Sequence, residues 1–188
     1  MRKFVLSMVV AMFAMTAVVK ADSIYVMAGS PTVTGSGPYT WSYDMELSAG
    51  STIQSGDYFI ILDFVGFTGT WTAPAGWTLT TPLVSSPIFG TSTSASGTDS
   101  PSIINLKWTY SGANIVGAAA PFGTFTADSI YKYKTLGIVL AQDHSTAFPS
   151  IAVVNSGATV VPAVPLPAAA WAGLGLLGLV GAIRMRKA

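Results

Sequence analysis

Residues 39–47, Tyr-Thr-Trp-Ser-Tyr-Asp-Met-Glu-Leu, alternate apolar and polar side chains without a break. Successive side chains of a strand point to opposite faces, so a period of two predicts a strand with one dry face, carrying Tyr39, Trp41, Tyr43, Met45 and Leu47, and one wet face. Residues 58–65 depart from that alternation, being apolar everywhere except Asp63, which predicts a central strand covered on both sides. Segments 23–28, 76–80, 103–110, 124–127, 136–141 and 151–154 are rich in β-branched and aromatic residues and bounded by Gly, Pro, Ser or Asp. About eight short strands at this spacing predict an all-β domain, an antiparallel β-sandwich. Residues 91–100 hold only Ser, Thr, Gly, Ala and Asp and have nothing to bury, so they read as a loop.

The two ends follow a different pattern. Arg2 and Lys3 precede an apolar stretch over 4–19, and Val19-Lys20-Ala21 follows, the layout of a secretory signal peptide over 1–21 cleaved between Ala21 and Asp22. An uncleaved N-terminal anchor is the alternative, because the stretch is close to the length that separates the two. Either way residues 22–159 are expected as an exported β-sandwich ectodomain. At the other end Val164, Pro165, Leu166, Pro167 and Ala168 lead into an apolar run, expected as a transmembrane helix over 168–183, and then into Arg184, Arg186 and Lys187 in a basic cytoplasmic tail over 184–188. Residues 160–167, punctuated by proline, read as a linker.

The prolines hold the chain extended, as processing enzymes generally need it, and the terminal cations stop transfer. The apolar run is barely long enough to span, and Gly173, Gly175, Gly178 and Gly181 weaken it, each by about 1 kcal/mol of helix propensity relative to Ala. Such a helix suits a temporary hold. Its small residues also permit close approach by another membrane helix. The plainer alternative is a permanent C-terminal anchor.

The chain has 188 residues, of which 51% are hydrophobic and 9% charged, room for one domain with roughly a third of the usual ~25% charge. Ser, Thr and Gly supply much of the polar surface instead. The net charge of +1 conceals a segregation: between the two end segments, three lysines (Lys107, Lys132, Lys134) face eight carboxylates and leave −5. That balance gives a phosphate backbone no attraction and argues against nucleic-acid binding. Cysteine is absent, which excludes disulfides and thiolate metal sites, so stability must come from packing.

Val164-Pro165-Leu166-Pro167-Ala168, the apolar run and the basic terminus together resemble the VPLPA-CTERM sorting signal, a variant of the PEP-CTERM signal. The resemblance implies recognition by an exosortase, an integral-membrane cysteine transpeptidase of Gram-negative bacteria that often make exopolysaccharide. It implies a transient inner-membrane intermediate followed by transfer to the cell surface or extracellular matrix, with exopolysaccharide as an associated partner. Leu166 stands where the Pro-Glu-Pro form has Glu, which leaves the enzyme subtype open. Residues 39–77, with Gly56-Asp57-Tyr58-Phe59 and the turn Pro74-Ala75-Gly76-Trp77, look like the β domains often carried by such proteins, which have no established activity.

Candidate chemistry in the middle of the chain is sparse. Asp63 interrupts an apolar strand and needs a partner: hydrogen-bond donors in one reading, a calcium ion in the other. Asp57, six residues earlier, falls on the same face by period two and is the second calcium candidate, though too far away to share one ion directly with Asp63. His144 is the single histidine, and its neighbours Asp143 and Ser145 cannot form a triad with it in sequence. Asp44 and Glu46 share a strand face as solvated carboxylates. No phosphate loop, dinucleotide fingerprint or nucleophile elbow occurs, so an enzyme is not expected, nor a cofactor. Trp71 and Trp77 flank a Pro-Gly turn and form the candidate platform for a sugar ring, the basis of an alternative carbohydrate-binding role. The rings of Tyr39, Trp41 and Tyr43 are expected in the core.

Overall fold

A computed structural model describes residues 23–84, 99–117 and 120–165. Within them the protein is all-β. Twelve strands run in chain order: β1 (Ile24–Val26), β2 (Thr32–Thr34), β3 (Tyr39–Leu47), β4 (Ser51–Ile53), β5 (Tyr58–Ile61), β6 (Phe67–Thr72), β7 (Trp77–Thr80), β8 (Leu106–Tyr110), β9 (Ile115–Val116), β10 (Ala120–Ser129), β11 (Tyr133–Ser145) and β12 (Ala152–Ala163). They form a five-stranded sheet, in the order β1-β3-β10-β6 with β2 also on β3, and a seven-stranded sheet, in the order β7-β8-β5-β11-β4-β9 with β12 also on β11. Every pairing is antiparallel. Both sheets contribute to one core, an arrangement consistent with a β-sandwich.

The alternation over 39–47 appears as expected. Trp41, Tyr43, Met45 and Leu47 are buried, while the positions between them are half-buried. Opposite them, Phe59, Ile61, Trp108, Val139 and Ala141 face inward from the second sheet. Phe125 of the first sheet meets Phe59, Trp77 and Trp108 of the second edge-on, at 4.8, 5.1 and 5.7 Å, and Phe59 also stacks on Trp108 at 5.0 Å. These offset and edge-on geometries suit the ring quadrupoles and add about 0.5–1.5 kcal/mol per pair beyond burial. In a chain without cysteine, this cluster holds the sheets together.

Strand β5 is also covered on both faces. Ile60 and Leu62 point away from the main core and join Leu140 in a second buried cluster, with Tyr58, Ile138 and Val154 around it. The expected strand over 58–65 nevertheless stops at Ile61. Asp63 takes a left-handed backbone, φ 56°, which ends the ladder. Its N–H donates to Asn105 Oδ1 at 2.8 Å instead of to a neighbouring strand.

The expected linker over 160–167 is corrected at its start. Strand β12 pairs with β11 all the way to Ala163, and Val161 is buried in the core. Pro162 does not stop it, because β12 has a ladder partner on one side only among the described residues, and edge strands tolerate proline. Tyr43 reinforces the closure by donating its hydroxyl to Val160 O at 2.9 Å. Burial pushes that phenol well above its ordinary range.

Candidate functional site

Strands β4 and β5 lie in succession along the same edge of β11, separated by residues 54–57. Asp57 closes this interruption. Its N–H donates to Gln54 O at 3.0 Å, and its Oδ2 accepts the Gln54 N–H at 2.7 Å. The side chain is fully buried, so its remaining oxygen capacity must be met from inside the protein. Two residues of β11 supply it: His144 Nδ1 lies 3.0 Å from Oδ2, and Gln142 Nε2 donates to Oδ1 at 3.3 Å. An ionised carboxylate only accepts, so Nδ1 carries the proton in this contact. Gln142 and His144 are two apart on one strand and therefore project from one face. Next to them the Tyr58 phenol is pushed up, first by burial and then by the Asp57 charge, and Lys107 Nζ stands 4.1 Å from the Tyr58 ring centre.

A buried carboxylate that fixes an imidazole through Nδ1 is half of a general-base arrangement. The other half is a hydroxyl on the second ring nitrogen. Among the described residues the hydrogen bond of His144 is to Asp57. With the groups present, the cluster ties the turn between β4 and β5 to the C-terminal end of the longest strand.

Asp63 is not part of this cluster. It sits beyond the other end of β5, in the loop, where its Oδ1 accepts the Ser100 N–H at 3.0 Å. Burial raises its pKa; the Ser100 hydrogen bond opposes that, and the neighbouring Asp99 charge adds to it. The expectation that Asp57 and Asp63 share a strand face is therefore corrected, because the chain leaves the strand before residue 63. Asp63 instead lines a groove of about 430 Å³ together with Leu62, Ile103, Leu136, Val161 and Val164. No group of three or more His, Asp or Glu gathers among the described residues. Both calcium candidates spend oxygen atoms on N–H donors, which favours the hydrogen-bonded reading of each.

The wet face of β3 is a set of cross-strand pairs. Glu46 accepts from the Tyr25 hydroxyl, whose pKa burial and this carboxylate push up to about 12, and Asp44 accepts from Thr124 Oγ1 at 2.6 Å.

The aromatic platform is also corrected. Trp71 is 38% exposed on the edge strand β6, but Trp77 is 5% exposed. Residue 77 opens β7 with its side chain inward, stacked on Phe122 at 5.7 Å and edge-on to Phe125. The Pro-Gly turn exposes backbone and turns the ring inward, so Trp71 and Trp77 do not form a shared sugar-binding face.

Sequence reasoning missed the joining of Asp57 to His144 and Gln142. The pair at 142 and 144 shows in the sequence as two polar residues on one strand face, but nothing local indicates a carboxylate more than eighty positions earlier.

The segments expected to carry export and sorting are only touched by the structure. Val164 and Pro165 continue directly from β12, whereas Ala21, Asp22, Leu166, Pro167, Ala168, Arg184, Arg186 and Lys187 lie outside the described residues. Among the described residues no helix is long and apolar enough to cross a membrane. No protein-family model matches the chain, and no curated protein matches it.

Proposed function

We propose that this chain is an exported structural protein of the bacterial cell surface or extracellular matrix, carried to its destination by the sorting signal at its C-terminus and associated there with exopolysaccharide. The observation that carries this reading is the fixed order, in sequence, of the Val164-Pro165-Leu166-Pro167-Ala168 motif, a marginal apolar run and a cationic end. An exosortase-type transpeptidase is the partner that would act on it while 168–183 holds the chain in the inner membrane. The β domain fits a structural role: the fully buried carboxylate of Asp57 is engaged in joining strands, and most of the aromatic rings fill the interior. A carbohydrate-binding module loses its main support with Trp77 in the core.

Mass spectrometry of the protein recovered from envelope and medium tests the proposal at both ends. The expected mature form begins at Asp22 and lacks Arg184, Arg186 and Lys187. Recovery from the cytoplasm, or outside the cell with that basic tail intact, refutes it.

A further inference from the structure

Four exposed apolar side chains gather at the end of the sandwich where β12 leaves it. Leu136 is 85% exposed, Ile130 58%, Tyr133 54% and Val164 57%. Single exposed apolar residues need no explanation, but Leu136 and Val164 line one groove, and Ile130 and Tyr133 stand at the start of β11, the end from which β12 departs. Tyr133 pairs with Ala163, the last residue of β12, which sets its ring beside the departing chain. Two of the three lysines between the end segments are here as well: Lys132 Nζ lies 5.9 Å from the Tyr133 ring, and Lys134 Nζ donates to Pro31 O at 3.1 Å. Apolar side chains with tyrosine and lysine among them are the composition that settles at a lipid-water boundary. Asp63 lines the same groove with the Asp99 charge beside it, so this end carries carboxylates as well as lysines, and the adhesion there is apolar in origin.

The length of the connection selects the occupant. Because β12 continues to Ala163, five peptide steps separate the sheet from residue 168, about 18 Å at full extension. The headgroup layer takes up roughly 5–8 Å of that on each side of the bilayer. The end of the domain therefore stays within about 10 Å of the membrane surface whenever 168–183 is inserted. So short a tether gives the patch an effective concentration near the millimolar range at the lipid, where weak apolar contacts are populated. The hairpin turn with exposed Phe148 lies at the far end of β11, about 40 Å away along the strand.

We propose that this end of the sandwich, through Leu136, Ile130, Tyr133 and Val164, rests in the headgroup layer of the bilayer while the C-terminal segment is in the membrane. The inference depends on 168–183 being a span, and the test separates the two. The absence of native cysteine allows one environment-sensitive fluorophore per full-length chain, at Leu136→Cys, Phe148→Cys or Leu176→Cys, reconstituted in phosphatidylcholine vesicles with or without spin-labelled lipid. The expected result is blue-shifted emission and strong quenching by spin-labelled lipid at 136 and 176, with neither at 148. Quenching at 176 without quenching at 136 overturns the docking and leaves the span standing. A blue shift at 136 that spin-labelled lipid does not quench also overturns it, assigning the patch to a second copy or to the chain itself. Absence of quenching at 176 refutes the span and the docking with it.

Discussion

Replacing Asp57 by Ala tests whether its carboxylate is a structural tie. The substitution leaves three donors without their acceptor: Gln54 N, His144 Nδ1 and Gln142 Nε2. A hydrogen bond to a charged group contributes about 1.5–3 kcal/mol net. Three such bonds would sum to more than the real loss. Gln142 and His144 are only half-buried and can turn to water, and the variant no longer bears the cost of burying a charge. A net destabilisation of about 3 kcal/mol follows, a large part of the 5–15 kcal/mol typical of a domain. Urea unfolding of the wild type, Asp57→Ala, His144→Ala and the double variant reads both the loss and the coupling, which should be about 1–3 kcal/mol for a direct charged hydrogen bond. An Asp57→Ala variant within about 0.5 kcal/mol of wild type, the usual range for an inert surface change, refutes the assignment.

Asp63→Asn removes a charge that burial disfavours and keeps an acceptor for Ser100 N, in a backbone conformation that Asn tolerates. A carboxyl whose pKa is raised by folding binds its proton more tightly in the native state, so it lowers stability at neutral pH. That penalty disappears as pH falls through the raised value to below the ordinary ~4. Chemical denaturation should therefore find the variant more stable than wild type at neutral pH, with the gap closing in acid; a gap that widens in acid contradicts the cause given. Gly137→Ala places a Cβ 2.6 Å from Val161 Cγ1 in the core, so thermal unfolding should show a loss of about 1–3 kcal/mol that Val161→Ala partly restores. Wild-type stability in Gly137→Ala would show that β11 and β12 are less tightly apposed than described.

Local pattern made the strongest strands legible. The dry stripe of β3 and the doubly apolar β5 were readable because burial itself writes the period, and each of the eight expected segments overlaps a strand. The missed strands β2, β4, β6 and β9 are short or built on Thr and Gly, as in the Phe-Thr-Gly-Thr-Trp-Thr of β6, where the ladder and not burial sets the conformation. The growth of β12 past Asn155, Ser156 and Gly157 has the same origin: the partner strand supplies the hydrogen bonds whatever the side chains are. Trp77 shows the limit in reverse. A turn predicts where the backbone bends, but the direction of the next ring depends on which sheet face is full.

The distant partnerships within the core have a consequence for timing. Trp41 donates to Tyr131 O and Tyr43 to Val160 O, contacts that bridge 90 and 117 positions. If the chain is exported from its N-terminus, as proposed, β3 is outside long before either acceptor emerges. Until the last strand is through, the interior stays open and the rings of Trp41 and Tyr43 lack their closing contacts. Under the proposed export, compaction would wait for the end of passage.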